Sequence, residues 1–311
     1  MFRIKYCMKV KKALSIALRI LPFLLIAAIL CCLLLYPRGE TVSKENKRVV
    51  RVWNVDTFEG GKGSRTAFLR NAARITEKKR GGVYYLITSY TLDGATAAFE
   101  KGESPDMLSF GIGLSAYAEN SLPLSRKFAG GNTESGCLAY PWCRGSYYLF
   151  SLSEDFSASG ETVISKGGNN LSEVAAAYAG INGSFAESTA AYVEFLNGHY
   201  RYLLGTQRDE CRFSARGVTV YSQELPEYCD LYQYISVLSR EKREDCDAFV
   251  DTLLSNDVQT TLSRIGMYPV NGGNAKRTVS VFSDRESLRK LAESASGGIA
   301  GNFLDKYLKF I

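Results

Sequence analysis

Val49-Val50-Arg51-Val52-Trp53-Asn54, Val83-Tyr84-Tyr85-Leu86-Ile87-Thr88 and Asp106-Met107-Leu108-Ser109-Phe110 are three β-type runs separated by two stretches of helical pattern. After the first run come a polar turn (Asn54, Asp56) and a glycine-rich loop, Gly60-Gly61-Lys62-Gly63. Ser64 suits a helix N-cap. Ala67, Phe68, Leu69, Ala72, Ala73 and Ile75 then recur at helical spacing as far as Lys78-Lys79-Arg80 and a stop at Gly81-Gly82. A short helix is predicted over 92–101. Strands and helices alternating at this spacing imply parallel pairing with right-handed crossovers. Ligands of such open sheets bind beyond the carboxyl ends of the strands. That rule puts Asn54-Val55-Asp56, Ser89-Tyr90 and Gly111-Ile112-Gly113 on one rim. The glycine-rich loop lacks Walker spacing and reads as a rim loop rather than a phosphate cradle.

Further along, Leu138-Ala139-Tyr140-Pro141-Trp142-Cys143 leads into Tyr147-Tyr148-Leu149-Phe150, a largely apolar and aromatic passage. Helical pattern returns at 171–178 and 188–196. An apolar segment at 200–204 ends in a loop, Gly205-Thr206-Gln207-Arg208-Asp209. Gly217-Val218-Thr219-Val220-Tyr221 and Ile235-Ser236-Val237-Leu238-Ser239 read as strands, and 247–262 as an amphipathic helix. The last segments, 286–291 and 303–310, are helical in pattern with a glycine break.

The chain has 38 basic and 32 acidic residues. Arg3, Lys5, Lys9, Lys11, Lys12, Arg19 and Arg38 precede residue 41, against Glu40 alone, so the formal +6 belongs to the N-terminal segment and the remainder is neutral. From Ile20 to Tyr36 the sequence is uncharged and apolar, about 17 residues, near the lower limit for spanning a bilayer. Basic before and apolar through predicts a membrane-targeting element with its N-terminus in the cytoplasm. The run ends at Tyr36-Pro37-Arg38-Gly39, a poor cleavage site, and neither Cys31 nor Cys32 follows the small residues that lipidation needs. The expected order is a basic cytoplasmic tail (1–12), a transmembrane anchor or signal segment (13–36), a tether (37–48), then an ectodomain outside the membrane. The localisation that follows is the cell membrane, single-pass.

Balanced ectodomain charge argues against nucleic acid. Five cysteines lie outside, Cys137, Cys143, Cys211, Cys229 and Cys246. An odd number cannot all pair within one chain. None has C-x-x-C spacing, and the single His199 could not complete a zinc site with them, so no metal or cofactor is expected. Neither a G-x-S-x-G, an H-E-x-x-H nor a Walker motif occurs, so the chain reads as a non-enzyme.

These segments, in this order, resemble the extracellular solute-binding proteins of ABC importers, the class that includes maltose-binding protein. Val50 to Asn54 is similar to the family's opening strand, and Pro105-Asp106-Met107-Leu108 to its P-D-hydrophobic strand. Tyr117-Ala118-Glu119-Asn120-Ser121-Leu122 looks like its exposed tip. Tyr140-Pro141-Trp142 followed by Tyr147-Tyr148-Leu149-Phe150 resembles the passage between lobes. Phe195-Leu196-Asn197-Gly198, and 249–259 with Leu262, Gly266 and Pro269-Val270, complete the match. The resemblance implies an α/β fold of the type II periplasmic-binding kind, two lobes with a ligand at the hinge. Lobe one would be 49–145 with 235–272, and lobe two 146–234 with 273–311. The ectodomain is shorter than most members, with the loss between Ser151 and Gly198.

By that resemblance Trp53 and Trp142 fall in cleft-lining segments, where a flat aromatic face suits a sugar ring; for both, buried packing is the alternative. Asp56 could accept hydrogen bonds from a ligand or simply form a turn. Arg208 and Asp209 could face the cleft or pair with each other. Tyr90 and Tyr232 complete the candidate set. The implied function is capture of a small polar solute, a saccharide first, for ABC permease subunits. A sensing or scaffold ectodomain, or a glycan-processing enzyme using acids such as Asp56, Glu59 and Asp209, are the alternatives.

Overall fold

The computed structural model describes residues 21–23, 25–26, 29, 48–58, 61–166, 170–270, 276–283 and 290. Residues 1–47 and 48–311 form separate compact units. In the first, Leu21, Phe23, Leu25, Ile26 and Ile29 are helical with exposed apolar side chains. Among the described residues no helix is long and apolar enough to cross a membrane. Most of the expected span over 13–36 lies outside them.

In the second unit, β1 (Arg48–Val55), β2 (Val83–Tyr90) and β3 (Met107–Phe110) pair in parallel, as the alternating pattern requires. Helix α1 (Arg65–Arg80) starts where Ser64 Oγ accepts from the Ala67 amide at 3.2 Å. Lys78, Lys79 and Arg80 occupy its last turn, favourably placed against the helix dipole. Gly81 ends it at φ 66°, a left-handed value that glycine reaches without strain. Phe68, Leu69, Ala72, Ala73 and Thr76 face the core, and a buried Phe or Leu contributes about 1.5–3 kcal/mol. Helix α2 (Leu92–Glu100) and the short α3 (Ser115–Ala118) follow. A two-strand ribbon, β4 (Asn132–Thr133) and β5 (Gly136–Cys137), precedes β6 (Tyr140–Arg144) and β7 (Tyr147–Ser151).

Then come β8 (Thr162–Lys166), α4 (Ser172–Tyr178), β9 (Ser184–Glu187), α5 (Ser188–Leu196), β10 (Tyr202–Thr206), α6 (Gln207–Ala215), β11 (Tyr221–Glu224) and β12 (Tyr232–Val237). Helices α7 (Arg243–Leu253) and α8 (Asn256–Gln259) close the series. Two five-stranded sheets result, one ordered β2-β1-β3-β12-β6 and the other β11-β7-β10-β8-β9. Strand alternation gives the second sheet two different faces. Phe150, Val163 and Leu203 pack with Tyr192, Phe195 and Phe213 in one cluster. Tyr147, Ile164 and Leu204 join the main core instead, beside Leu171, Val174 and Tyr228. Apolar packing is therefore continuous from the first sheet into the near face of the second.

Four sequence expectations shift. The strand expected at 217–221 lies at Tyr221–Glu224, because Gly217 (φ 66°) ends α6 and the Val218 amide bonds to Phe213 O. The helix expected over 247–262 begins at Arg243 and breaks after Leu253, whose carbonyl accepts from Gln259 Nε2 at 3.0 Å. The Gly205-to-Asp209 loop is the end of β10 and the first turn of α6. Finally, β12 starts at Tyr232 rather than 235. Residues 276–283 run beside the chain's return passage: the Cys229 amide donates to Arg277 O, and the Val281 amide to Gly130 O.

Candidate ligand cleft

Strand directions place the candidate cleft. β12 is antiparallel to β3 and to β6, so β6 runs with β1, β2 and β3 and ends beside them at Arg144. In the second sheet β8, β9 and β10 are parallel, and β7 is antiparallel to β10. β7 therefore begins, at Tyr147, beside the carboxyl end of β10. Among the described residues the chain crosses between sheets twice, through Gly145-Ser146 and back through 225–231. Both crossings join the end where the carboxyl termini of the parallel strands emerge, which is where open α/β sheets bind ligands.

On the first rim, buried Asn54 donates to Asp56 Oδ1 and Thr66 Oγ1, each at 3.0 Å. Asp56 also pairs with Arg65 Nε at 2.9 Å. Arg65 is itself buried, lies over the Phe58 ring and donates to the Phe58 carbonyl. Gln233 Nε2 donates to Val55 O (2.9 Å) and Ser109 Oγ (3.1 Å). This network fixes the carboxyl ends of β1 and β3. A side chain on Gly111 would collide with the Thr57 hydroxyl, so glycine is required there.

On the second rim, Gln207 Oε1 accepts from the Ser146 amide at 3.0 Å, and the Gln207 amide donates to Ser146 O at 3.1 Å. Tyr268, bonded backbone to backbone with Arg144, donates its hydroxyl to Glu210 Oε2 at 2.8 Å and accepts from Tyr148. Gly266 meets both sides: a Cβ there would lie 2.7 Å from Cys211 Sγ and 2.9 Å from Gly61 Cα. Where the crossings meet, Asp230 is fully enclosed. It accepts from Tyr147 Oη at 2.7 Å and from the Leu171 amide at 3.0 Å. Both donors are neutral, and burial pushes its carboxyl up to about 6.

Buried polar atoms without partners concentrate here. Thr57 Oγ1, Arg144 Nε, Asn170 Oδ1, Ser172 Oγ, both Glu173 carboxylate oxygens and Tyr228 Oη lie on the rims or crossings; Ser121 Oγ and Tyr192 Oη lie elsewhere. Buried polar groups are almost always satisfied, so such a cluster calls for a ligand or water.

Solved structures share this architecture. The sugar-binding protein MalE from Xanthomonas citri superposes with a TM-score of 0.57 at 13% identity, covering 84% of this chain and 95% of that one. Iron-bound HitA from Pseudomonas aeruginosa gives 0.52 at 14% identity, covering 84% and 99%. The maltose-maltodextrin binding protein of Alicyclobacillus acidocaldarius gives 0.53 at 9%, again covering 84% and 99%. The fold is that of the two-lobed periplasmic solute-binding proteins. No family model and no curated protein matches the sequence.

Within this fold the seven residues singled out by sequence separate. Trp142 has no exposed surface; it stacks on Phe68 (5.5 Å) and its Nε1 donates to Ser109 Oγ at 3.1 Å. It offers no free face to a sugar. Trp53 is 4% exposed, enclosed by Tyr90 (4.6 Å) and Phe99 (5.0 Å). Packing also accounts for Tyr232, buried against Phe128. Asp209 is buried as the capping-box partner of Thr206, accepting from its amide at 3.1 Å, and pairs with Arg212 rather than Arg208. Arg208 donates to Ser188 Oγ at 3.0 Å. Asp56 and Tyr90 stay partly accessible on the first rim.

The sequence reading missed Thr57, Asn170, Glu173 and Asp230. Glu173 was visible only inside the helical pattern at 171–178, and Asn170 only as the residue before it. Their position after a parallel strand was the available signal. Cys137, Cys143, Cys211, Cys229 and Cys246 are unpaired, and burial pushes the Cys143 and Cys246 thiols up to about 12. Among the described residues no group of His, Cys, Asp and Glu could hold a metal ion.

Proposed function

We propose that this protein captures a small polar solute between its two lobes, outside the cytoplasmic membrane, and presents it to the permease subunits of an ABC importer. The observation that carries the reading is the cluster of unpartnered buried polar atoms at the carboxyl ends of both sheets. The likeness in fold to proteins whose names state sugar and iron binding supports it. A saccharide fits the acceptors by its hydroxyl donors, with hydrogen bonding in place of the Trp stacking that the sequence suggested. The acids that a glycan-processing enzyme would use are engaged otherwise, Asp56 by Arg65 and Asp209 by its helix cap; Glu59 lies outside the described residues.

The test is a thermal-shift screen of the full chain in mild detergent against saccharides, peptides and polyamines at millimolar concentration. A solute at 100 times its Kd stabilises the folded state by about 2.7 kcal/mol, readable as an upward shift of the melting temperature. No shift with any compound would overturn solute capture. It would favour the second reading, a sensing or scaffold ectodomain, for which the apolar packing of Tyr147, Tyr178 and Tyr228 at the crossings is the motivating observation.

We further propose that the N-terminal segment remains attached as a membrane anchor, on the strength of the charge asymmetry and the long apolar run. Intact-mass analysis of the membrane fraction should recover all 311 residues. A mature form starting at Cys31 or Cys32 and carrying a diacylglycerol adduct would contradict it.

A further inference from the structure

After β8 the second rim carries Asn170, Leu171, Ser172 and Glu173. The Leu171 amide, by donating to Asp230 Oδ2, holds this segment against the return crossing, so it lies between the sheets. Asn170, Ser172 and Glu173 are 6%, 1% and 7% exposed, their side-chain oxygens make no hydrogen bond of full geometry, and only the Glu173 backbone amide and the Ser172 hydroxyl ease the buried carboxyl. The orphans share a polarity. An amide oxygen and an ionised carboxylate only accept, and a serine hydroxyl can accept. An ionised carboxylate buried without donors is among the costliest arrangements in a protein unless a cation or several N–H groups reach it.

The charges around Glu173 leave that demand unmet. Asp230 adds a second buried acid from the crossing, supported only by neutral donors. Lys166, at the end of β8, lies over the Phe185 ring and offsets the Glu173 charge only in part. On the opposite rim the Arg65 charge is taken by Asp56.

We infer that the solute carries a protonated nitrogen, and that this ammonium docks on the Glu173 carboxylate with Asn170 Oδ1 and Ser172 Oγ accepting its other N–H groups. The inference rests on the solute-capture reading and names the chemical class of its ligand. An anion in this place would face two acids. A neutral polyol would leave the Glu173 carboxyl protonated and gain no ion pair.

Proton linkage gives a signature. Burial, opposed by the Glu173 backbone amide, Lys166 and Ser172 and reinforced by Asp230, pushes the Glu173 carboxyl up to about 8. The empty site is therefore mostly protonated at neutral pH, and capture of an ammonium must release that proton. Affinity then rises by roughly tenfold per pH unit below 8 and levels off above it.

The experiment is calorimetric titration of the full chain in mild detergent with putrescine, agmatine and cyclohexylamine, against the neutral counterparts 1,4-butanediol and cyclohexanol. At least one amine should bind, its neutral counterpart at least about tenfold more weakly. Buffers of different ionisation enthalpy should show release of close to one proton at pH 7. Glu173→Gln should lose at least about thirtyfold in amine affinity together with the proton release, with no drop in melting temperature because it removes a buried acid. Asn170→Ala should weaken binding less and leave the proton release in place. Amine binding unchanged in Glu173→Gln, or a screen in which only saccharides or anions bind, would overturn the inference while leaving solute capture standing. Binding of nothing at all would remove both.

Discussion

Trp142→Ala is expected to lower unfolding free energy by about 3–5 kcal/mol, the range for truncating a fully buried large aromatic. The ring has no exposed surface, stacks on Phe68 and ties Ser109 to the network that sets the ends of β1 and β3. Most of the loss is packing and cavity formation, so it appears in the free protein. Urea unfolding measures it directly. The affinity of any solute that binds should change by less than about threefold while the fold holds. A Trp142→Ala protein of normal stability with tenfold weaker solute binding would show the ring to be a ligand-stacking surface after all.

Asp230→Ala is the second large effect, about 3 kcal/mol of destabilisation, because it strands the Tyr147 hydroxyl and the Leu171 amide where neither can reach water. Asp230→Asn keeps one acceptor and should cost about 1 kcal/mol. The pH dependence follows from the same burial. The folded-state carboxyl, at about 6, lies above its ordinary value of 3.8, so the folded protein holds the proton more tightly than the unfolded chain. The stabilisation from this group is complete below pH 4 and is lost as pH rises toward and through 6. Unfolding free energies measured from pH 4 to 7 should show that loss in the wild type, and Asp230→Asn should reduce the slope. An unchanged slope would place the titrating group elsewhere.

Much of the fold was legible because it is encoded locally. Ser64 caps α1, Gly81 ends it, and the apolar residues between them repeat at helical spacing; the three strands around it pair in parallel as their alternation with helices demands. What was illegible depends on partners distant in sequence. β11 reads Tyr-Ser-Gln-Glu, all exposed, and is a strand only because β7, some 70 residues earlier, pairs with it. Trp142 looked like a stacking platform because the sequence does not reveal that Phe68 and Ser109 close over it. Asp209 looked like a loop acid because its capping role depends on where β10 stops. The site was the least legible part, since whether a buried oxygen such as that of Asn170 or Glu173 has a partner is decided only by the assembled fold.

Hydrogen exchange on the full chain, with and without the compound giving the largest thermal shift, tests capture between the lobes most directly. Slowed exchange is expected together at 57–58 and 111–113 on the first rim, 170–174 on the second, and 144–147 and 228–231 at the crossings. Protection confined to the outer surface of one lobe, or no compound able to slow exchange at either rim, would contradict it.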